Sequence, residues 1–148
     1  MVRKSNPHRR PRSRREIVID PSALVGDDAF AGCETDLERK FLWQLRVAGL
    51  PEPTPQYRLK EYRRSPYDFG WEDHRLVVEL QGGVWMRKSG HNTGNGITRD
   101  CRKLNRTTMA GWKQFNFTTN MVDSGEALDI MIKFFEKENK NNGNNGSK

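Results

Sequence analysis

The stretch from Ser65 to Gln81 constrains this chain most. Its first arm, Ser65-Pro66-Tyr67-Asp68-Phe69-Gly70-Trp71, and its second, Leu76-Val77-Val78-Glu79-Leu80-Gln81, flank the polar loop Glu72-Asp73-His74-Arg75, the pattern of a β-hairpin. If Trp71 pairs with Leu76, the register sets Asp68 opposite Glu79. Facing Cβ atoms lie ~5 Å apart, and two like charges there repel by roughly 3 to 4 kcal/mol at an effective dielectric of 20, before screening. A divalent cation would turn that repulsion into coordination; an edge ribbon with both charges in water is the alternative. Alternation along the strand places Glu79 and Gln81 on a polar face and Leu76, Val78 and Leu80 on a core face.

A chain of 148 residues fits one domain. The expected division is a disordered basic arm over residues 1–15, a single domain over 16–138, and a disordered Asn/Gly tail over 139–148. No apolar run approaches the ~20 residues of a bilayer span, and the N-terminus lacks the apolar core of a secretory signal. The expectation is a cytoplasmic protein with no membrane partner. Cys33 and Cys101 have no Cys-x-x-Cys neighbour, which argues against a disulfide framework and a structural zinc and leaves buried or idle thiols.

Net charge is +7, and its location matters more than its size. Arg3, Lys4, Arg9, Arg10, Arg12, Arg14 and Arg15 carry the whole excess, leaving 19 basic and 19 acidic residues in the remainder. Such an arm tracks nucleic-acid phosphates or serves as a solubilising tail. If each arm charge displaced one counterion from duplex DNA, affinity would fall with salt at a log slope of about −6.

Thr35 with Glu38 is a capping-box pattern opening a helix that ends near Gly49-Leu50-Pro51. Glu38 also falls within the apolar stripe of Leu37, Phe41, Leu42, Leu45 and Ala48, so it either caps the helix or converges as a third acid on Asp68 and Glu79. Trp43 reads as the outer side of this helix. Gln56–Lys60 is expected to be a first strand, with Arg58, Lys60, Arg63 and Arg64 beside it as a solvated face or a phosphate grip. Residues 82–96 hold five glycines, Arg87, Lys88 and His91 in a mobile loop without a nucleotide fingerprint. His91 is a candidate proton donor or phosphate contact, or neither.

From Ile97 to Ala110, the positions Ile97, Cys101, Leu104 and Thr108 form an apolar stripe on a sheet-covering helix. Arg99, Arg102 and Arg106 line another face. Lys103 pairs with Asp100 or points toward the carboxylates. A strand over Trp112–Thr118 and a helix capped by Ser124, with Ala127, Leu128, Met131, Ile132 and Phe135 as core, complete an α/β fold: a central mixed β-sheet flanked by helices.

Glu38, Asp68, the Glu79-Leu80-Gln81 triplet, Gly82-Gly83-x-Trp85, His91, Asp100-x-x-Lys103-x-Asn105 and Gly111-Trp112 together resemble the PD-(D/E)xK nuclease superfamily over about residues 34–120. Within it the look is that of very-short-patch repair endonucleases and phage-type Holliday junction resolvases. The resemblance implies a restriction-endonuclease-like core and a bacterial or phage-infected setting. It also implies Mg²⁺, with Mn²⁺ substituting, held by Asp68, Glu79, the Leu80 carbonyl and Glu38; no zinc is expected, because the zinc ligands of the mismatch-repair relatives are not evident in this sequence. The catalytic set it implies is Glu38, Asp68, Glu79, Gln81, Lys103 and His91. Gln81 stands where the family usually has lysine, and Lys103 is the suggested substitute.

The expected function is Mg²⁺-dependent DNA endonuclease, nicking or structure-selective, acting on branched, mismatched or duplex DNA. The DNA contacts expected are Arg9, Arg10, Arg12, Arg14, Arg15, Arg63, Arg64, Arg87, Lys88, Arg99, Arg102 and Arg106. Junction cleavage would call for a homodimer, with Trp43 and the last helix as candidate contacts. The alternatives are a catalytically weakened nucleic-acid-binding module on a nuclease scaffold and a protein-interaction domain.

Overall fold

The computed structural model describes residues 27–83 and 94–144. In it the hairpin forms in the register its sequence sets. Strand β2 (Tyr67–Trp71) and β3 (Leu76–Gln81) are antiparallel, with Trp71 paired to Leu76, Gly70 to Val77 and Phe69 to Val78. The turn closes through Arg75, whose backbone is left-handed at φ 46° and whose carbonyl accepts from Lys113 N at 2.8 Å.

Around the hairpin the sheet has four strands in the order β1-β2-β3-β4. β1 (Thr54–Tyr57) runs antiparallel to β2, and β4 (Lys113–Thr118) runs parallel to β3. The parallel pair requires a crossover, and α2 (Gly94–Met109) lies within it. The remaining helices are a 3-10 turn at Asp27–Phe30, α1 (Asp36–Val47), α3 (Thr119–Ser124) and α4 (Glu126–Asn144).

The core face of β3 is the one alternation assigns. Leu76 and Val78 are buried with Phe69 and Trp71 of β2, Phe117 of β4, Phe41, Leu42 and Leu45 of α1, and Ala127, Met131 and Phe135 of α4. Phe41 lies 5.7 Å from both Phe69 and Phe117, centroid to centroid. Each such side chain contributes about 1.5–3 kcal/mol on leaving water. On the opposite face Val77 joins Leu59 and Tyr67 in a smaller cluster covered by Tyr57, Tyr62 and Trp112. Both faces of the hairpin are therefore covered, and the Glu79 side is not simply polar.

Gly70 is dictated by this second layer. A Cβ there would lie 2.2 Å from Tyr57 Cγ, because the Tyr57 ring rests on the β2 backbone. Gly70→Ala is expected to lower stability by roughly 1–3 kcal/mol as the ring is displaced. A urea unfolding midpoint equal to that of the wild type would contradict the close approach.

Several expectations shift. β1 begins at Thr54 rather than Gln56, since as an edge strand it tolerates Pro55, which pairs with Phe69. The stripe expected to face the sheet from α2 faces water: Ile97 is 58% exposed, Leu104 40%, and Cys101 and Thr108 are also exposed. Thr107 is buried instead, because its hydroxyl meets Tyr67 Oη at 2.6 Å. The expected tail is partly helical, because α4, anchored by Met131 and Phe135, propagates to Asn144 at one backbone bond per added residue. A short helix, α3, precedes the Ser124 cap, whose Oγ accepts from Glu126 N at 3.4 Å. Trp43 is not an outer residue: it is half-buried against the main core.

Candidate functional site

The pairing of β2 with β3 ends at Phe69 and Val78, and Asp68 and Glu79 are the next positions in the same register. They flank the end of the ladder rather than forming a pair within it. Asp68 replaces the missing acceptor with its own side chain: Oδ2 takes the Leu80 amide at 2.6 Å. The two carboxylates therefore lie at the mouth of the hairpin, where the charge of Glu79 acts on Asp68.

The cation here comes from α2. Lys103 Nζ is ion-paired to Glu79 Oε1, donates to the Pro66 carbonyl at 2.7 Å and lies 4.2 Å from the centre of the Tyr67 ring. The two side chains are 21% and 17% exposed, so the pair is shielded on both sides. Of the alternatives for Lys103, the carboxylate is therefore the partner, and Asp100 instead meets Arg99 Nε at 3.8 Å.

Burial pushes the Asp68 carboxyl up to about 6; the Leu80 amide and Lys103 oppose this, and the charges of Glu79 and Glu38 add to it. Burial also raises Glu79, with the Lys103 hydrogen bond and charge holding it back. Asp68 is the strained member because it has one amide where Glu79 has an ammonium.

Glu38 is 4% exposed and makes its cap. Its amide donates to Thr35 Oγ1 at 3.2 Å, Oε2 accepts from Glu34 N at 2.8 Å and Gln56 Nε2 at 3.4 Å, and Oε1 accepts from Thr35 Oγ1 at 3.0 Å. Both its oxygens are engaged, and it reaches Asp68 as charge. Among the described residues no three His, Cys, Asp or Glu side chains stand grouped as a metal cage. What the fold brings together is two carboxylates and one ammonium, with Glu38 behind them.

No family model, curated protein or solved structure matches this chain.

The site's chemistry must accordingly be read from its own donors. Asp68 and Glu79 fit a hard divalent cation, since Mg²⁺ takes one or two carboxylates and fills its remaining positions with water and phosphate oxygens. Among the described residues, Asp68 Oδ1 carries no hydrogen bond, and its raised proton affinity marks a carboxylate that a cation would relieve. Gln81 is exposed at the end of β3. Arg63, Arg64, Arg99, Arg102 and Arg106 are exposed. Arg9, Arg10, Arg12, Arg14, Arg15, Arg87, Lys88 and His91 lie outside the described residues.

Sequence reasoning missed Gln56, which reaches Glu38 from β1, and the Tyr67–Thr107 pair that orients α2. No local pattern signals either. Cys33 is half-buried, with burial first and Glu38 second pushing its thiol up to about 11. No helix among the described residues is long and apolar enough to cross a membrane.

Asp68→Asn keeps an acceptor for the Leu80 amide and removes the repelled charge. The folded wild type holds this proton up to about 6 against an ordinary 3.8, so ionisation removes stability as pH rises between those values, and the loss is constant above them. With solvent screening at a half-buried group, the variant is expected to be more stable by roughly 1 kcal/mol, ~4 °C, at neutral pH. The gap should close near pH 4, and a thermal-melting series across pH checks it.

Proposed function

We propose that this protein is a Mg²⁺-dependent DNA endonuclease built on a restriction-endonuclease-like core, nicking or structure-selective in action. The observation that carries the reading is the meeting of Asp68, Glu79 and Lys103 at the mouth of the hairpin. Two shielded carboxylates and a fixed ammonium are the minimum for placing a metal and a scissile phosphate side by side.

Asp68 and Glu79, helped by the Leu80 carbonyl, would hold the ion, which supplies charge stabilisation for in-line displacement at phosphorus. With a pKa of about 6, Asp68 is ionised at neutral pH. Lys103 offers the positive charge that Gln81 cannot, and Gln81, at the exposed strand end, can orient the attacking water. Arg63, Arg64 and Arg106, none of them paired with a carboxylate among the described residues, are available to the DNA backbone. The resemblance in the ordered series from Glu38 to Trp112 supports the same reading. If junctions are the substrate, paired cuts require a homodimer.

The test is incubation of linear duplex, single strand, flap, mismatch and four-way-junction DNA with Mg²⁺ and Mn²⁺, beside a Glu79→Ala control. Metal-dependent products from at least one substrate, absent in the control, are expected.

A second reading has its own observation. Lys103 occupies Glu79 Oε1 directly, so the ammonium can take the place of the ion. In that case the chain binds nucleic acid without cutting it, and none of the substrates yields product.

A further inference from the structure

Beside the ion pair lies a cavity of about 390 Å³ lined by Lys60, Tyr62, Arg63, Arg64, Tyr67 and Arg106, together with Glu61, Ser65 and Lys103. Its size falls in the range of small-molecule sites, ~300–1,000 Å³. Lys60 is paired with Glu72 at 3.0 Å and Lys103 with Glu79, but among the described residues Arg63, Arg64 and Arg106 meet no carboxylate. The Arg106 guanidinium carbon stands 5.5 Å from the centre of the half-buried Tyr62 ring, and the buried Tyr67 also lines the cavity. Guanidinium groups that meet no carboxylate among the described residues, one of them beside the Tyr62 ring, suit a ligand that is anionic at one end and flat at the other.

We infer that this cavity receives one unpaired nucleotide of a DNA strand, its base against Tyr62 and Arg106 and its phosphates on Arg63 and Arg64. The inference rests on the nucleic-acid reading above and adds the substrate class: DNA with a single-stranded or extrahelical nucleotide. Lys103 lines the cavity and also binds Glu79, so a nucleotide lodged there places its neighbouring phosphate toward the carboxylates. A base inside a duplex has no free face to offer Tyr62, whereas stacking on aromatic side chains is the common means of holding unpaired bases.

The test is fluorescence anisotropy of the full chain with a short oligo(dT) and with a blunt duplex of equal length, in EDTA so that cleavage plays no part. Tyr62→Ala is expected to weaken oligo(dT) binding about tenfold and duplex binding less than twofold, and Tyr62→Trp to retain both. Equal losses on the two DNAs, or an acidic peptide of matched charge competing as well as oligo(dT), would overturn the assignment. Selective loss in a protein that cleaves nothing would uphold the cavity while removing the nuclease reading.

Discussion

Glu79→Gln is expected to fold like the wild type and to cleave at least about 10³-fold more slowly in Mg²⁺, equivalent to ~4 kcal/mol of transition-state stabilisation. Glutamine preserves the length of the side chain and an oxygen for Lys103 Nζ, so the Lys103 bridge to Glu79 and Pro66 persists. The negative charge that would hold the metal is lost. Glu79→Ala should lose the same activity and some stability as well, since it leaves the Lys103 ammonium with only the Pro66 carbonyl and the Tyr67 ring. The pair of variants therefore separates chemistry from folding. Cleavage by Glu79→Gln within tenfold of wild type, measured as initial rates on the best substrate, would remove Glu79 from the metal site.

Lys103→Met is expected to act on stability and activity together. Methionine fills the space of the lysine stem but leaves Glu79 half-buried without its cation, and breaking a shielded pair from one side costs about 3 kcal/mol. Burial already raises the Glu79 carboxyl, and Lys103 is what restrains it. Without that restraint the folded-state pKa rises further above the unfolded value. The variant's deficit should then be small in acid and grow as pH increases toward neutrality. Millimolar Mg²⁺ should restore part of the deficit by taking the place of the ammonium. Cleavage should fall by roughly 10² to 10³, the scale of removing one preorganised charge from a phosphoryl-type transition state. If Lys103→Met instead cuts faster than wild type, the lysine competes with the metal rather than assisting the phosphate.

The parts of this fold that were legible in the sequence are those encoded by neighbours. Thr35 with Glu38 announced the start of α1, pairing Trp71 with Leu76 across the turn set the hairpin register, and the alternation of Leu76, Val78 and Leu80 set its core face. The register of two adjacent strands was legible as bringing Asp68 and Glu79 to one place, whereas Lys103 stayed open between Asp100 and the carboxylates until the structure paired it with Glu79. The misreadings involve partners distant in sequence. Ile97, Cys101 and Leu104 made a convincing apolar stripe, yet Thr107 and Lys103 face inward because Tyr67 and Glu79 wait there with hydrogen bonds. Periodicity weighs side chains by hydrophobicity and cannot know that a buried polar group is satisfied from another strand. Glu38 had two readings, a cap and a third acid beside Asp68 and Glu79: its oxygens take Glu34, Thr35 and Gln56, and its charge still acts on Asp68.

The exposed side of α2 is the other consequence of that rotation. Ile97 and Leu104 stand in water where a core stripe was expected, and Met109, outside that stripe, is 83% exposed as well. The sheet is nonetheless covered, because the small cluster of Leu59, Tyr67 and Val77 is closed by Tyr57, Tyr62 and Trp112.

Calorimetric titration of Mg²⁺ into the full chain, with a phosphorothioate oligonucleotide present to prevent turnover, tests the centre most directly. The wild type should take up the ion in the millimolar range or tighter, and Glu79→Gln and Asp68→Asn should each abolish the heat. Absence of uptake in the wild type, or uptake unchanged in both variants, would contradict a magnesium site at the mouth of the hairpin.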